Sequence, residues 1–340
     1  MRKGFIQAGK FTAFLAVGIL LLWIAFRTVN FKELAAALKG ANYYWLILSV
    51  LFGLLGYLSR ARRWIILINP LGYNPRYWST FHSMMSGYLA NLALPRIGEI
   101  TRCVALGKKE KIPVDQLIGT VVIERTIDFI SLLIIMFGLF FTSGSRIREY
   151  LNASIIVPFR EKVLSVFGAA WILWTIVIGL SAIALYMLIR YKKELRKVKF
   201  FSKMFDIAHG VINGLKTISK LKRNWEFIFH TIFIWLNYAL MTWIVVFCIE
   251  STSQISFANS IFILVIGGLA MSAPVQGGIG AYHYFVSRGI AFVAGVSIED
   301  GSAYAILTHE SQLVLVLILG AVAFYMLSRK NQKNGINAKS

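Results

Sequence analysis

Arg96, Glu99 and Arg102 follow Pro95 at a spacing that puts the acid and the second arginine on one helical face. A helix opened by a proline presents free N–H groups at its first turn, which add positive potential beside arginines. Arginine's planar fork holds phosphate oxygens in pairs, so this group suits an anionic phosphate. Glu99 is expected to orient the arginines. The alternative is an interfacial loop whose arginines contact bulk headgroups.

Glu124, Arg125 and Asp128 form a second group at the start of an apolar run. Glu124 and Asp128 are four apart, and two carboxylates on one helical face repel. Within a membrane they need partners, and Arg96, Arg102 or Arg125 are the expected ones. Such a network serves either a transport site or a structural brace. The third group is Gln276, Gly277, Gly278 and Gly280, followed by His283 and Arg288. The glycines permit positive φ and close backbone approach. Arg288 is the only formal charge between Glu250 and Glu299, a second candidate for an anionic headgroup. His283 reads as a proton relay or as a core histidine.

The chain around these groups is apolar. Hydrophobic residues make up 57% and charged residues 15% of 340 positions, outside the range of an ordinary soluble domain. Uncharged runs recur at 11–26, 40–59, 77–95, 129–145, 163–189, 227–249, 251–287 and 311–328. Most approach the ~20 residues that cross a hydrocarbon core. Two are interrupted, at Leu94-Pro95 and at Ala273-Pro274 through Gly280. Backbone groups freed there must face protein, water or a ligand.

The formal charge of +21 invites a nucleic-acid reading, but its distribution excludes one. Eleven Lys or Arg fall between Arg190 and Arg223, against two acids, and the other basic clusters also flank apolar runs. That is the pattern of cytoplasmic loops beside anionic headgroups. The expected topology has both termini in the cytoplasm. Full spans lie at about 11–27, 43–61, 117–141, 166–189, 226–249 and 303–327. Arg60, Arg62 and Arg63 then mark a return to the cytoplasm. Broken or re-entrant hairpins occupy 77–106 and 257–296, giving eight to ten membrane segments. Short helices are expected in the 142–165 and 191–224 loops, the second on the inner leaflet. The expected fold is an all-α polytopic membrane protein with a single domain at 1–330 and a polar cytoplasmic tail at 331–340. Its halves, 1–145 and 160–330, read as an inverted-topology repeat, the plan of many alternating-access transporters.

No catalytic, metal or cofactor site is expected. Cys103 and Cys248 have no metal or redox spacing, the five histidines are scattered without HExxH, and no phosphate-binding G-x-x-x-x-G-K-[ST] occurs. Acids near the outer half, Glu310 included, sit in no recognisable pair. Thr308-His309-Glu310-Ser311-Gln312 is a polar patch that either lines a path or bonds helices together.

Asn91-x-x-x-Pro95-Arg96-x-Gly98-Glu99-x-x-Arg102, Pro113, Glu124-Arg125-x-x-Asp128 and Pro274-x-x-Gly277-Gly278-x-Gly280 together resemble the lysylphosphatidylglycerol synthase transmembrane-region family, also called flippase-like membrane domains. The resemblance covers roughly 10–327. It implies a flippase or transporter for an anionic or phosphate-bearing lipid, phospholipid or isoprenoid-linked, in the cytoplasmic membrane. Separately encoded envelope-synthesis enzymes are the implied partners. Relatives commonly carry a glutamate three residues after the last glycine, where this chain has His283. The soluble aminoacyl-lipid synthase domain is expected to be lacking, so lysyl transfer is not expected from this chain alone. The rival readings are an integral-membrane transferase using a lipid-phosphate-linked donor, and a noncatalytic scaffold in envelope lipid or glycan synthesis.

Overall fold

The computed structural model describes residues 19–142, 152–169, 223–273 and 275–336, with isolated helical positions at 16, 175, 179 and 190. The described residues are helical throughout, joined by turns. After a helical stretch at 19–26 come α1 (Phe31–Lys39), α2 (Tyr43–Ile68), α3 (Tyr77–Ala93), α4 (Ile97–Glu110), α5 (Val114–Thr142) and α6 (Val157–Ala169). Then follow α7 (Asn224–Ile244), α8 (Phe257–Ala270), α9 (Ala281–Ala294) and α10 (Ile298–Ile336). Most of the expected span at 166–189 and of the basic loop that follows lies outside the described residues, and so do positions 11–15, 17 and 18 of the one at 11–27. The last helix runs on to Ile336, into the stretch expected to form the polar tail.

Helix starts follow from side-chain chemistry. Asn30 Oδ1 accepts from Lys32 N at 3.1 Å and Asn42 Oδ1 from Tyr44 N at 3.1 Å, so α1 and α2 open on capped turns. Ser256 does the same for α8. Among the described residues, three stretches are long and apolar enough to cross a bilayer: Tyr43–Leu71, Asn224–Cys248 and Ile298–Ser328. Exposed Ile130, Ile134, Phe137 and Phe141 form a stripe along α5. Water would penalise that stripe and lipid would not. Tyr43, Tyr44 and Trp45 are exposed at the mouth of α2, as interfacial aromatics are.

α2 was expected to end near residue 61, with Arg60 and Arg63 at the cytoplasmic surface. It continues to Ile68, with both arginines buried. The reason is that each finds carboxylates on α5, so the helix can carry charge inward.

Two breaks organise the rest. α3 and α4 form a hairpin turned at Leu94-Pro95-Arg96. Their arms touch at Gly87 and Gly98, where a Cβ on either would strike the backbone oxygen of the other. Asn91 Oδ1 accepts from Gly98 N at 2.6 Å and closes the tip. α8 and α9 form a second hairpin through the turn at 276–278. Gly277, Gly278 and Gly280 have φ of 57°, 78° and 83°, values that side chains disfavour. Each arm of this second hairpin has 14 residues, about 21 Å, short of a full crossing.

α2 packs along α7, α10 packs on α3, and α5 packs on α8. One apolar core gathers Trp64, Met84, Met85, Leu106 and Leu117 from α2–α5, with Val316 and Ala323 of α10. Another gathers Val245, Phe262, Ile266, Val286 and Tyr304 from the second half, with Leu132 and Leu139 of α5.

Candidate functional site

Among the described residues, the buried formal charges form one cluster. Arg60 of α2 donates to Glu124 Oε1 at 2.9 Å and to Asp128 Oδ2 at 2.8 Å. Arg63, one turn on, donates to Asp128 Oδ1 at 2.6 Å and lies 3.5 Å from Glu124. Arg102 of α4 places Nη1 2.9 Å from Glu124 Oε2. The carboxylates on α5 therefore face three arginines, which removes the repulsion expected of them. Tyr238 of α7 accepts from Arg60 Nε at 2.6 Å, so four helices meet here. The Arg102 guanidinium lies 4.7 Å from the Trp64 ring centroid, and Trp64 Nε1 donates to Thr120 Oγ1 at 2.9 Å. Three cations meet two anions, and Arg102 Nε and Nη2 find no acceptor among the described groups.

This corrects the sequence reading in two respects. Glu124 and Asp128 draw on Arg60 and Arg63 rather than on Arg96 or Arg125. Arginines three apart in one helix share a face, so the pairing has a sequence signal, although basic residues at the end of an apolar run also mark a membrane surface. Glu99, expected to orient Arg96 and Arg102, instead pairs with Arg125 at 3.4 Å. Arg102 is 1% exposed, which makes it a brace in this conformation. Trp64→Phe removes a buried hydrogen bond and part of the platform under Arg102. It should cost about 1–2 kcal/mol, read as a lower unfolding midpoint of the purified protein.

Glu99 and Arg125 sit on a groove between α4 and α5 of about 430 Å³, lined mainly by Ile100, Val121, Val122 and Phe129. Both charged side chains are part-exposed.

The hairpin tips meet. Arg96, exposed and with φ of 63°, donates through Nη2 to Ser272 O at 3.2 Å. Gln276 Nε2 donates to Ala93 O at 3.4 Å. A positive φ at arginine is uncommon, and such backbone strain gathers at functional positions. Behind the glycine turn, His309 Nε2 lies 2.8 Å from Gly277 O. His309 Nδ1 and His283 Nε2 lie 3.1 and 3.3 Å from Glu310 Oε1. Both rings are buried while Glu310 is 44% exposed. Glu310, which sits in no recognisable pair in the sequence, thus gains two partners through the fold. It also brings a carboxylate beside His283 from another helix. Arg288 stands apart, stacked 3.9 Å over Tyr284 one turn earlier on α9.

The sequence-predicted residues therefore fall into three sets. Arg102, Glu124 and Asp128 are enclosed. Glu99 and Arg125 border the groove. Arg96, Gln276, Gly277, Gly278, Gly280 and His283 gather where the hairpins meet, without Arg288. His309 was missed as a site residue because 26 positions separate it from His283, and only the fold joins them.

No solved structure matches the chain. A UPF0104 membrane protein of Methanocaldococcus jannaschii is 23% identical over 96% of this chain and 98% of that protein. The family described as lysylphosphatidylglycerol synthase TM region matches residues 11–320. A helical membrane chain matched over that length belongs to the lysylphosphatidylglycerol synthase transmembrane-region family.

Proposed function

We propose that this protein moves an anionic, phosphate-bearing lipid between the leaflets of the cytoplasmic membrane. One observation carries the reading: two broken hairpins meet tip to tip through polar contacts, Arg96 to Ser272 and Gln276 to Ala93, beside helices of bilayer length. Lipid cannot satisfy broken backbone, so such a seam belongs to a wet path. The packing supports an inverted repeat of two halves, 1–145 and 160–330. α2 pairs with α7, and the exchange of α5 onto α8 and α10 onto α3 is reciprocal. Six spans plus two re-entrant hairpins, with both termini in the cytoplasm, complete this topology.

Arg96 is the accessible guanidinium at the seam and takes the headgroup phosphate. Arg125 borders a side groove whose apolar lining suits tails left in lipid. The excess positive charge of the buried cluster favours an anion nearby. Separately encoded envelope-synthesis enzymes would make or use the lipid.

The test is leaflet exchange of fluorescent anionic and neutral phospholipids in liposomes holding the pure protein. The wild type should exchange the anionic lipid faster. Arg96→Ala, at an exposed position, should remain folded and exchange it at least about tenfold more slowly, the worth of one charge-assisted contact. Wild-type exchange no faster than in protein-free liposomes, for phospholipid and isoprenoid phosphate alike, would sink the proposal.

A further inference from the structure

We propose that His283, His309 and Glu310 form a binding site for a divalent transition-metal ion, Zn²⁺ being the best fit. Nothing in the transport reading is needed for it.

The three ligand atoms lie within 4.8 Å of one another. In a tetrahedral zinc site, bonds of 2.0–2.1 Å place ligand atoms ~3.3 Å apart. The Glu310 oxygen is 3.3 Å from His283 Nε2 and 3.1 Å from His309 Nδ1, so two edges of a tetrahedron are already at length.

The hydrogen bonding supports the same assignment. His309 Nε2 lies 2.8 Å from the Gly277 carbonyl oxygen, which can only accept. The ring proton is therefore on Nε2, and Nδ1 of the neutral ring turns its lone pair toward the carboxylate. Two electron-rich atoms at 3.1 Å repel unless a cation is shared between them. A backbone carbonyl holding the far nitrogen is also how metal-binding imidazoles are oriented. His283 needs one adjustment. Its Nδ1 faces Gly280 N at 3.4 Å, at the limit of a hydrogen bond. Ligation through Nε2 moves the ring proton to Nδ1 and gives up that contact.

Two imidazoles and one carboxylate suit zinc and its neighbours rather than magnesium or calcium, which prefer oxygen. The imidazoles are buried and Glu310 is half-exposed, so the fourth position opens on the carboxylate side. The ligands come from α9 and α10, and the carbonyl from the glycine turn. A bound ion would therefore tie three elements together.

The full-length protein would be purified in detergent, stripped with chelator, and dialysed against Zn²⁺ or Co²⁺ alone. The expected result is one equivalent bound per chain, with the absorption of tetrahedral Co²⁺. Glu310→Gln and His309→Ala should each weaken binding at least tenfold. His82→Ala, remote on α3, should bind as the wild type does. Variants count only if monodisperse, and Glu310→Gln, at a half-exposed position, guards against loss of fold in the buried His309→Ala. Zn²⁺ should also raise the unfolding temperature of the wild type and not of Glu310→Gln. Wild-type binding no tighter than that of Glu310→Gln would overturn the proposal and leave a proton as the shared cation.

Discussion

Glu124→Ala is expected to leave little folded protein. The carboxylate is fully buried and faces Arg60, Arg63 and Arg102. Its removal leaves three guanidinium groups with Asp128 as their one remaining anion in the cluster. Removing one partner of a buried pair costs about 3–5 kcal/mol, because the stranded charge stays desolvated. Arg102 has no other carboxylate within ion-pair distance among the described residues, so it suffers most. Thermal unfolding followed by tryptophan fluorescence, with size exclusion in detergent, is the measurement. The part-exposed Arg62–Glu226 pair is the internal control. Glu226→Ala should cost no more than about 1 kcal/mol. An unfolding temperature for Glu124→Ala within a few degrees of wild type would show that the cluster contributes little.

Gly98→Ala carries the second large effect. The added methyl meets the Gly87 carbonyl oxygen and the Asn91 side chain. The first is backbone of the facing arm and cannot swing aside, so the hairpin must open. Overpacking usually costs about 1–3 kcal/mol, and rigid backbone puts this case at the upper end or above. Gly138→Ala on α5 gives the opposite sign, since a Cβ there has nothing within 4 Å. It should be neutral or stabilise by up to about 1 kcal/mol through helix propensity. Equal stability of the two alanine variants would contradict the close approach.

The helical breaks were legible because proline and glycine act locally, and each break lies where an uncharged run already marks apolar surroundings. That Arg96, Glu99 and Arg102 follow the first break was legible for the same reason. Their division of labour was not. Whether an arginine reaches phosphate or carboxylate depends on which helix lies opposite, and that follows from packing of α2 against α5. Arg60 and Arg63 show the cost of reading charge by position alone. Basic residues ending an apolar run mark a surface only when no acid waits across the interface. The His283–His309 meeting was hidden for a related reason, since neither residue has a local pattern that names the other.

The five-charge cluster also decides what can move. It fastens α4, and with it the first hairpin, to α2 and α5, while Tyr238 extends the hold to α7. Sliding that hairpin would break several buried ionic bonds together. Among the described residues, the hydrogen bonds holding the second hairpin's tip to the first are one at 3.2 Å and one at 3.4 Å. If the proposed transport parts this seam, the first hairpin is expected to stay in place and the α8–α9 hairpin to move, turning on its glycines.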